Sequence, residues 1–303
     1  MTGGGAVDCL VVGGGPAGLT AAIYLGRFRR NVIVIDKGWS RAEWITLSHN
    51  LPGFRYGVPG PVYLEDARTQ ARQYGATLEK GVVETLEVDA AGLFQARVAG
   101  QVVWAATVLL ATGVVETNPP LDHVAEAVKR RVIRTCPICD GYESIGKAIA
   151  VLGAGDHAAA EALFLRTYTD QLTLLLSVGD SLSSDKLQAL NAASIVVRHV
   201  TVGSVTLEQN GLTAVTVEDG QVHHFDKVYS AFGVVAQTQL AQSLKAKLDG
   251  QQRLFVSEHM ETSVKGLYAA GDLVRGLNQI SVASGEAAIA ATAIHNCLPK
   301  PFA

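Results

Sequence analysis

The sequence predicts an α/β protein with two Rossmann-like nucleotide-binding domains. Two glycine-rich turns support this prediction, GGGPAG at Gly13–Gly18 and GAGDHA at Gly153–Ala158, because each one follows a strand pattern and opens a helix pattern. A third observation is the CPIC motif at Cys136–Cys139, which lies between the two turns. Two cysteines at this spacing can close a disulfide, and beside a bound electron carrier such a pair exchanges two electrons.

The first glycine turn belongs to a complete βαβ pattern. A buried strand pattern at Val7–Val12 precedes the turn, an apolar helix pattern runs from Pro16 to Phe28, and a second strand pattern ends at Asp36. The glycines permit a tight turn and let a pyrophosphate approach the backbone and the helix N-terminus. Asp36 follows the turn by about 20 residues, where an acid hydrogen-bonds a ribose 2′-hydroxyl. The pattern predicts a dinucleotide site, and the alternative is a Rossmann fold that binds no nucleotide.

The remaining elements follow from hydrophobic periodicity and from turn residues. A second βαβ unit begins after Lys147, and a β-rich stretch follows it. The predicted elements after the first unit are a helix at Pro61–Tyr74, several strands within Thr77–Thr112, a strand at Ala148–Leu152, a helix at Ala158–Thr167, a strand at Leu172–Leu176, β structure within Ile195–Phe232, and an alanine-rich helix at Ser281–Cys297.

The composition excludes some classes of partner. The chain has 303 residues, 48% of them hydrophobic and 17% charged, with a formal net charge of −3, so it has no electrostatic footprint for nucleic acid. The longest apolar run, Val102–Val115, is too short to span a bilayer, and no basic amphipathic stretch suggests a membrane surface. We find no secretory signal pattern in the first residues. We therefore expect a cytoplasmic protein with neither a membrane nor a nucleic-acid partner.

The four cysteines favour redox chemistry over a structural role. They are too few for a secreted disulfide framework, and a close pair in a reducing compartment is redox-active or metal-binding. The alternative for the CPIC motif is half of a zinc site. Cys9 and Cys297 fall in a predicted core strand and a predicted helix, and no second CxxC or paired histidine supplies the missing ligands. We therefore predict a redox pair and no metal.

Three motifs in order, GGGPAG, CPICDG and AAGD at Ala269–Asp272, resemble those of the low-molecular-weight thioredoxin reductase family, and the similarity covers nearly the whole chain. The resemblance implies an FAD-binding domain formed by residues 1–115 and 249–303. It implies an inserted pyridine-nucleotide-type domain, residues 116–248, that contains the CxxC pair. The fold class implied is thus two Rossmann-like three-layer nucleotide-binding domains, the second inserted into the first. The resemblance also implies a homodimer.

The resemblance assigns roles to matching residues. Cys139 would face the flavin, Cys136 would attack the substrate disulfide, and Asp140 would be the acid/base beside them. A thiolate is the nucleophile in such exchange, and a nearby carboxyl can move the accompanying proton. The predicted cofactor-binding residues are Gly13, Gly15, Pro16, Ala17, Gly18, Asp36, Asn50, Thr112, Gly113, Gly271, Asp272, Gln279 and Ile280.

The second nucleotide site departs from the family pattern. NADPH-using members end the strand after the second glycine turn in a basic cluster that holds the 2′-phosphate, whereas this chain has Leu174–Asp180 there and no cation before Lys186. NADH also lacks its usual acid, because Asp180 lies beyond the expected place. NADPH and NADH are therefore doubtful ligands. The turn is either retained architecture without a ligand or the site of another molecule, such as a second flavin.

Two further departures lie in the predicted FAD domain. Arg41–Ile45 replaces the Gly-Gly-Gln segment that approaches the flavin ring, and Asn278–Ile280 replaces Arg-Gln-Ala. Trp39 and Trp44 are candidates to stack on a planar ligand, or else belong to the core. These changes resemble the pyridine-nucleotide-independent branches of the family, the ferredoxin-linked and diflavin-linked disulfide oxidoreductases. They also resemble fungal dithiol oxidases, which pass electrons to oxygen.

The leading hypothesis is an FAD-dependent disulfide/dithiol oxidoreductase. Two electrons pass between the flavin and the Cys136/Cys139 pair, and then to or from a thioredoxin-like protein or a small disulfide or dithiol, without NADPH as direct donor. Ferredoxin or another electron donor would replace NADPH. The alternatives are an NADPH-dependent thioredoxin reductase that uses Arg166 or Lys186 as its cation, an oxygen-using dithiol oxidase, and a non-catalytic FAD-bound redox sensor.

Overall fold

A computed structural model describes residues 5–119, 121–201, 204–209, 212–215, 220–274 and 277–301. The chain divides into two compact units. The first unit contains Met1–Leu47, Leu51–Val115 and Val235–Ala303, and the second contains Ser48–Asn50 and Glu116–Val234. The chain therefore leaves the first unit after residue 115, where we placed the boundary. It returns at residue 235, whereas we placed the return at residue 249.

The elements alternate between strands and helices along much of the chain. In chain order, those before the second unit are β1 (Val7–Val12), α1 (Pro16–Arg27), β2 (Val32–Asp36), α2 (Gly60–Gln73), β3 (Thr77–Lys80), β4 (Val83–Val88), β5 (Phe94–Val98), β6 (Gln101–Leu110) and β7 (Val114–Glu116). Those of the second unit are α3 (Val124–Lys129), β8 (Ile133–Arg134), α4 (Pro137–Asp140), β9 (Ile149–Gly153), α5 (Gly155–Leu165), β10 (Leu172–Ser177), α6 (Ser184–Ala192), β11 (Val196–Val200), β12 (Val205–Leu207), β13 (Leu212–Val215), β14 (Val222–Phe225) and β15 (Lys227–Ala231). The last elements are β16 (Val234–Ala236), α7 (Gln239–Ser243), β17 (Leu267–Ala269) and α8 (Ile280–Cys297).

A seven-stranded sheet is the centre of the first unit. The strands β3, β2, β1, β6 and β17 are parallel in that order. The first half of β6 also pairs with β5, and β5 pairs with β4, both in antiparallel orientation. Helices α1 and α8 cover one face, where their alanine-rich sides pack on Cys9, Val11 and Leu109. The carboxyl ends of β1, β2, β6 and β17 thus meet at one edge, which is where such sheets bind ligands.

A buried arginine joins the first and the last chain segments of the first unit. Arg30, only 6% exposed, follows α1 and donates to the carbonyl oxygens of His295 at 2.8 Å and Pro299 at 2.7 Å. Its guanidinium also lies 3.8 Å from the Asp8 carboxylate. A buried guanidinium needs such partners, because an unpaired buried charge destabilises a fold. These bonds hold the end of α8 against the start of β1.

The second unit is a three-layer sandwich. Its parallel sheet has the order β11-β10-β9-β15-β8. Helices α5 and α6 pack on one face through Ala158, Ala162 and Leu190. The other face is covered by α3 and by the antiparallel strands β12, β13 and β14. This arrangement places the glycine turn after β9 and the end of β10 at one edge of the sheet.

The predicted fold class is confirmed, with small differences in element boundaries. Helix α5 begins at Gly155, three residues before the predicted start at Ala158, because the turn residues Asp156 and His157 already adopt helical geometry. Part of the predicted β-rich stretch, residues 202–203, 210–211 and 216–219, lies outside the described residues. Among the described residues, none of the helices combines the length and the apolar character that a membrane span requires.

Candidate active site

Close backbone contacts fix the first glycine turn. Gly13 has a φ of +109°, and a Cβ atom there would lie 2.3 Å from the carbonyl oxygen of Ala111. A Cβ atom at Gly18 would lie 1.9 Å from the carbonyl oxygen of Gly13. Both distances are shorter than a van der Waals contact, so only glycine fits at either position. The turn therefore brings bare backbone to the carboxyl edge of the sheet.

The N-terminus of α1 is open to an anion. The helix begins at Pro16, and Gly15 at the N-cap offers no side chain to bond the first backbone amides. Ala17 is buried within this first turn. An uncapped helix N-terminus carries partial positive charge and free N–H donors, which suit a phosphate. Gly13, Gly15, Pro16, Ala17 and Gly18 thus lie together in this turn, which we call the phosphate cradle; that it binds a phosphate stays a prediction.

Asp36 lies at the end of β2 beside this cradle. Its Oδ1 accepts a hydrogen bond from the Gly38 amide at 3.1 Å. A Cβ atom at Gly14 would lie 2.5 Å from its Oδ2, so the carboxylate sits directly against the turn. A cavity of about 210 Å³ adjoins these residues and also reaches Lys80. An acid at a strand end with open space beside it matches the requirement for binding a ribose.

An acidic cluster follows β17. Gly271, with a φ of +83°, donates its amide to Glu286 Oε2 at 2.8 Å. Asp272 lies 3.5 Å from the Arg41 guanidinium. Burial raises the pKa of Asp272 above its usual range, while Arg41 and Arg253 oppose that rise. The sequence did not predict the Arg41–Asp272 pair or the part taken by Glu286, because their partners are far apart in the chain.

The start of α8 contains a polar atom that lacks a partner. Gln279 is the N-cap and makes no side-chain cap bond, and Ile280 is the first helical residue. Just before them, Asn278 Oδ1 is buried and has no hydrogen-bond partner within the described part of the chain. A buried acceptor without a donor is costly, so it indicates a site for a donor from a bound group. Together with the phosphate cradle and Asp36, this end of α8 fits a dinucleotide cofactor of the FAD type.

Three other predicted cofactor-binding residues, Thr112, Gly113 and Asn50, form hydrogen bonds with the protein itself. Thr112 Oγ1 donates to the Gln237 carbonyl at 2.7 Å, and the Gly113 carbonyl accepts from the Gln237 amide at 3.0 Å. Asn50 belongs to the second unit, where its Nδ2 donates to the Ile138 carbonyl at 3.3 Å. Contact of Asn50 with a flavin stays a prediction.

The two tryptophans near the cradle are not core residues. Trp39 is 83% exposed and Trp44 is 48% exposed. The alternative that they belong to the core is therefore wrong. Whether they stack on a ligand stays a prediction.

The CPIC motif forms a disulfide at the start of a short helix. Cys136 and Cys139 are bonded, with their Cα atoms 5.4 Å apart. Pro137 begins α4, which suits a residue without an amide hydrogen at a helix start. A Cβ atom at Gly141 would lie 2.5 Å from the Tyr168 ring, so glycine is required directly after the motif. The predicted pairing of the two cysteines is thus present in the second unit.

Asp140 follows the disulfide and takes part in a buried polar network. Arg134 donates to its Oδ2, and the Tyr229 hydroxyl donates to its Oδ1 at 2.9 Å. The same hydroxyl lies 2.9 Å from the hydroxyl of Ser144, which is buried. Burial raises the pKa of Asp140, and the Arg134 charge and the Tyr229 bond oppose that rise. The sequence predicted Asp140 but neither Arg134 nor Tyr229.

The two remaining cysteines lie in the first unit and do not form a metal site. Cys9 is in β1, and burial raises the pKa of its thiol to about 12, so it stays protonated at neutral pH. Cys297 is exposed at the end of α8. Across the described residues, no group of three or more His, Cys, Asp or Glu side chains could hold a metal ion. The zinc alternative for the CPIC motif therefore gains no support.

The second glycine turn keeps its architecture. A Cβ atom at Gly153 would lie 2.4 Å from the Ala231 carbonyl oxygen, and the turn opens α5 as a nucleotide fold requires. Asp156 Oδ1 accepts from the Ser183 amide at 2.9 Å. That hydrogen bond, and more weakly the charge of Lys186, lower the pKa of Asp156. The neighbouring strand β10 ends in Leu176 and Ser177.

Basic residues of the second unit differ in whether they lie near the second glycine turn. Arg166 donates to the backbone carbonyls of Ala193 at 2.9 Å and Thr169 at 3.3 Å, so its guanidinium is committed to the opposite end of α5. Lys186 is close enough to Asp156 to affect its pKa. Sequence reasoning missed Arg198 and His199, which lie on β11 opposite Leu175 and Leu176 near the end of β10.

The fold and these sites define a class of protein with a dinucleotide cradle in one unit and a closed CxxC disulfide in the other. The chain belongs to the Pyridine nucleotide-disulphide oxidoreductase family, whose model matches residues 7–287. Membership of this family supports FAD as the cofactor of the first unit.

Two curated relatives are similar over most of this chain. It is 30% identical over 298 residues to the bifunctional thioredoxin reductase/thioredoxin of Mycobacterium leprae, covering 94% of this chain and 64% of the relative. It is also 30% identical over 303 residues to NADPH-dependent thioredoxin reductase 3 of Arabidopsis thaliana, covering 94% of this chain and 57% of that relative. The chain thus spans less than two thirds of either protein.

Solved structures share the fold. The crystal structure of HlmI has a TM-score of 0.89 and 27% identity, over 98% of this chain and 93% of that one. Thioredoxin reductase from Streptococcus pyogenes has a TM-score of 0.87 and 24% identity, over 96% of this chain and 97% of that one. The chain therefore has the thioredoxin reductase fold.

Proposed function

We propose that this chain is an FAD-dependent disulfide oxidoreductase that passes two electrons between the flavin and the Cys136/Cys139 pair. The observation that supports this most strongly is the closed disulfide next to Asp140, whose carboxylate is held by Arg134 and Tyr229. A disulfide next to a held carboxylate suits thiol exchange, which requires proton transfer as well as nucleophilic attack.

The cofactor in this proposal is held by the first unit. The turn of Gly13–Gly18 and the start of α1 would hold the phosphates of FAD, Asp36 would hold a ribose hydroxyl, and Gly271 and Asp272 would contact the part of FAD between the phosphates and the flavin. When bound, FAD would supply a second two-electron carrier in addition to the cysteine pair. The start of α8 at Gln279 and Ile280, with the unpartnered Asn278 Oδ1 beside it, contributes the remaining polar contacts.

The cysteine pair then exchanges with an external disulfide or dithiol. In reduced protein, Asp140 takes the proton of the Cys136 thiol, and the resulting thiolate attacks one sulfur of the external disulfide. The S–S bond of that disulfide breaks, and the released thiolate takes the same proton from Asp140. Cys139 then attacks Cys136, which restores the internal disulfide and releases the second external thiolate. In this proposal the external partner is a thioredoxin-like protein or a small dithiol, and the working form is a homodimer.

We also propose that NADPH is not the direct electron donor. The end of β10 has Leu176 and Ser177, followed by Val178, which is 58% exposed, where a 2′-phosphate would need cations. Asp156 adds a negative charge to the first turn of α5, where it opposes the attraction of the helix dipole for an anionic pyrophosphate. Ferredoxin, or a second flavin in the nucleotide turn of the second unit, would then supply the electrons.

One alternative retains specific support. Lys186 lies near the start of α5, and Arg198 lies on the strand beside β10, so two cationic side chains are present around the second nucleotide turn. A curated relative is described as an NADPH-dependent thioredoxin reductase. An NADPH-dependent enzyme with an unusual 2′-phosphate site is therefore the second candidate. Arg166 gives it no support, because its guanidinium bonds two backbone carbonyls elsewhere.

Counting electrons tests the proposed relay. We expect the purified yellow protein to consume about two equivalents of dithionite per FAD under argon, because flavin and disulfide each accept two electrons. The matched control is the same protein in which Cys136 and Cys139 are both replaced by serine, which should consume about one equivalent. Equal consumption by the two proteins, or purified protein without flavin, would contradict the proposal.

A further inference from the structure

The donors that hold Asp140 come from two paired strands. Arg134 lies on β8 and Tyr229 lies directly opposite it on β15. One donor reaches each carboxylate oxygen, so the carboxylate cannot rotate without breaking a bond. Tyr229 is fully buried, and the side chain of Arg134 is only 14% exposed. These contacts are more extensive than a surface ion pair would provide.

We propose that Arg134 and Tyr229 are positioning residues that keep Asp140 ionised and oriented to accept the proton of an attacking thiol. This inference rests on the proposed function and deepens it, because it assigns the control of the proton to two residues outside the CPICDG motif. Ser144 supports the arrangement, since its hydroxyl lies 2.9 Å from that of Tyr229 and is buried with it.

The surroundings of Asp140 contain groups that raise its pKa and groups that lower it. Burial raises the pKa of Asp140, and Glu143, on the turn after α4, raises it further. Arg134 is the strongest opposing influence, followed by the Tyr229 hydrogen bond. Lys227, on the same strand as Tyr229, is a second nearby cation whose own pKa is lowered by burial and by Arg134. Loss of Arg134 would therefore raise the pKa of Asp140 and favour its protonated form.

The step at issue balances without a further redox partner. A thiolate of an external dithiol attacks Cys136, the Cys136–Cys139 bond breaks, and Cys139 leaves as a thiolate. The second external thiol gives its proton to Asp140 and attacks the mixed disulfide, which releases Cys136 as a thiolate. The external dithiol is thus oxidised and the internal disulfide reduced. The reaction requires Asp140 to be a base when the second thiol arrives.

Rapid-quench measurement of this reduction tests the inference. Holoprotein is mixed with dithiothreitol between pH 6 and pH 9, quenched with iodoacetamide, and the state of the Cys136–Cys139 peptide is read by mass spectrometry. For Arg134→Gln we expect the wild-type rate at pH 9 and a roughly tenfold slower rate at pH 6, because Asp140 is then protonated. Asp140→Asn cannot accept the proton, so the reduction rate of Arg134→Gln at pH 6 should approach the rate of Asp140→Asn.

Further variants separate positioning from folding. Arg134→Lys keeps the charge and should recover much of the rate at pH 6, and Tyr229→Phe, which removes only a hydroxyl, should lie between wild type and Arg134→Gln. The matched control is Arg130→Gln, because the exposed Arg130 bonds the Glu208 carbonyl and should change nothing. If the reduction rate of Arg134→Gln fell by the same factor at every pH, or did not fall at all, the inference would be overturned. This assay measures only the oxidation state of the two cysteines. Failure of electron transfer between flavin and disulfide would be detected separately, by the number of dithionite equivalents consumed per FAD.

Discussion

Replacing Cys136 or Cys139 by serine is expected to abolish dithiol-linked electron transfer, with a loss of at least about a thousandfold in turnover. Both sulfurs are needed, because one forms the mixed disulfide and the other resolves it. The two cysteines are bonded to each other in the structure, so serine at either position removes the disulfide. Serine at either position leaves the fold intact but offers no comparable nucleophile at neutral pH.

The measurement is anaerobic reduction of the flavin by excess dithiothreitol, followed through its visible absorbance. Cys297→Ser is the matched control, because that thiol is exposed at the end of α8, in the other unit, and should leave the rate within about twofold. Cys9 is a poorer control because it is fully buried in β1. Flavin reduction by dithiothreitol at the wild-type rate in Cys139→Ser would show that the pair is not the relay.

Gly13→Ala is expected to remove FAD binding and to destabilise the first unit. The new methyl group would lie 2.3 Å from the Ala111 carbonyl oxygen, at a φ of +109° that alanine rarely adopts. Strain and overpacking together predict a loss of at least about 2 kcal/mol in the free energy of unfolding. Because this turn is the proposed phosphate site, any backbone shift that relieves the clash should also weaken cofactor binding.

The ratio of flavin to protein absorbance after purification measures this loss, and thermal unfolding measures the stability. Gly250→Ala is the matched control, because no atom lies within 4 Å of its added methyl group and its φ is not in the left-handed region. That substitution should change stability by less than about 0.5 kcal/mol. Full retention of FAD by Gly13→Ala would contradict the assignment of the turn.

Local sequence patterns were sufficient to predict the strands and helices of the two βαβ units. Strand β1 and the start of α1 at Pro16 match the prediction, because the glycine turn and the proline act on their immediate neighbours. The start of α5 was missed by three residues, since the apolar pattern begins only at Ala158 while the helix already includes Gly155. Hydrophobic periodicity marks the packed face of a helix, and it does not mark a polar first turn.

Long-range pairs could not be predicted from one sequence. Tyr229 reaches Asp140 across 89 residues, and Arg41 reaches Asp272 across 231, through strand pairings whose register no local pattern determines. The CPICDG motif predicted Asp140 but gave no sign of the donors that hold it. Likewise, no local pattern indicated that residues 48–50 cluster with the second unit.

The most direct test of the central claim is a sequential anaerobic titration of the yellow protein in one cuvette. NADPH is added first, then NADH, and finally dithiothreitol, while the visible absorbance of the flavin is followed. We predict no rapid change with either nicotinamide and bleaching with the dithiol, as a flavin–disulfide relay without a nicotinamide donor requires. Rapid bleaching by micromolar NADPH would contradict the donor proposal and favour the NADPH-dependent reductase, and no bleaching by dithiol would contradict the relay itself.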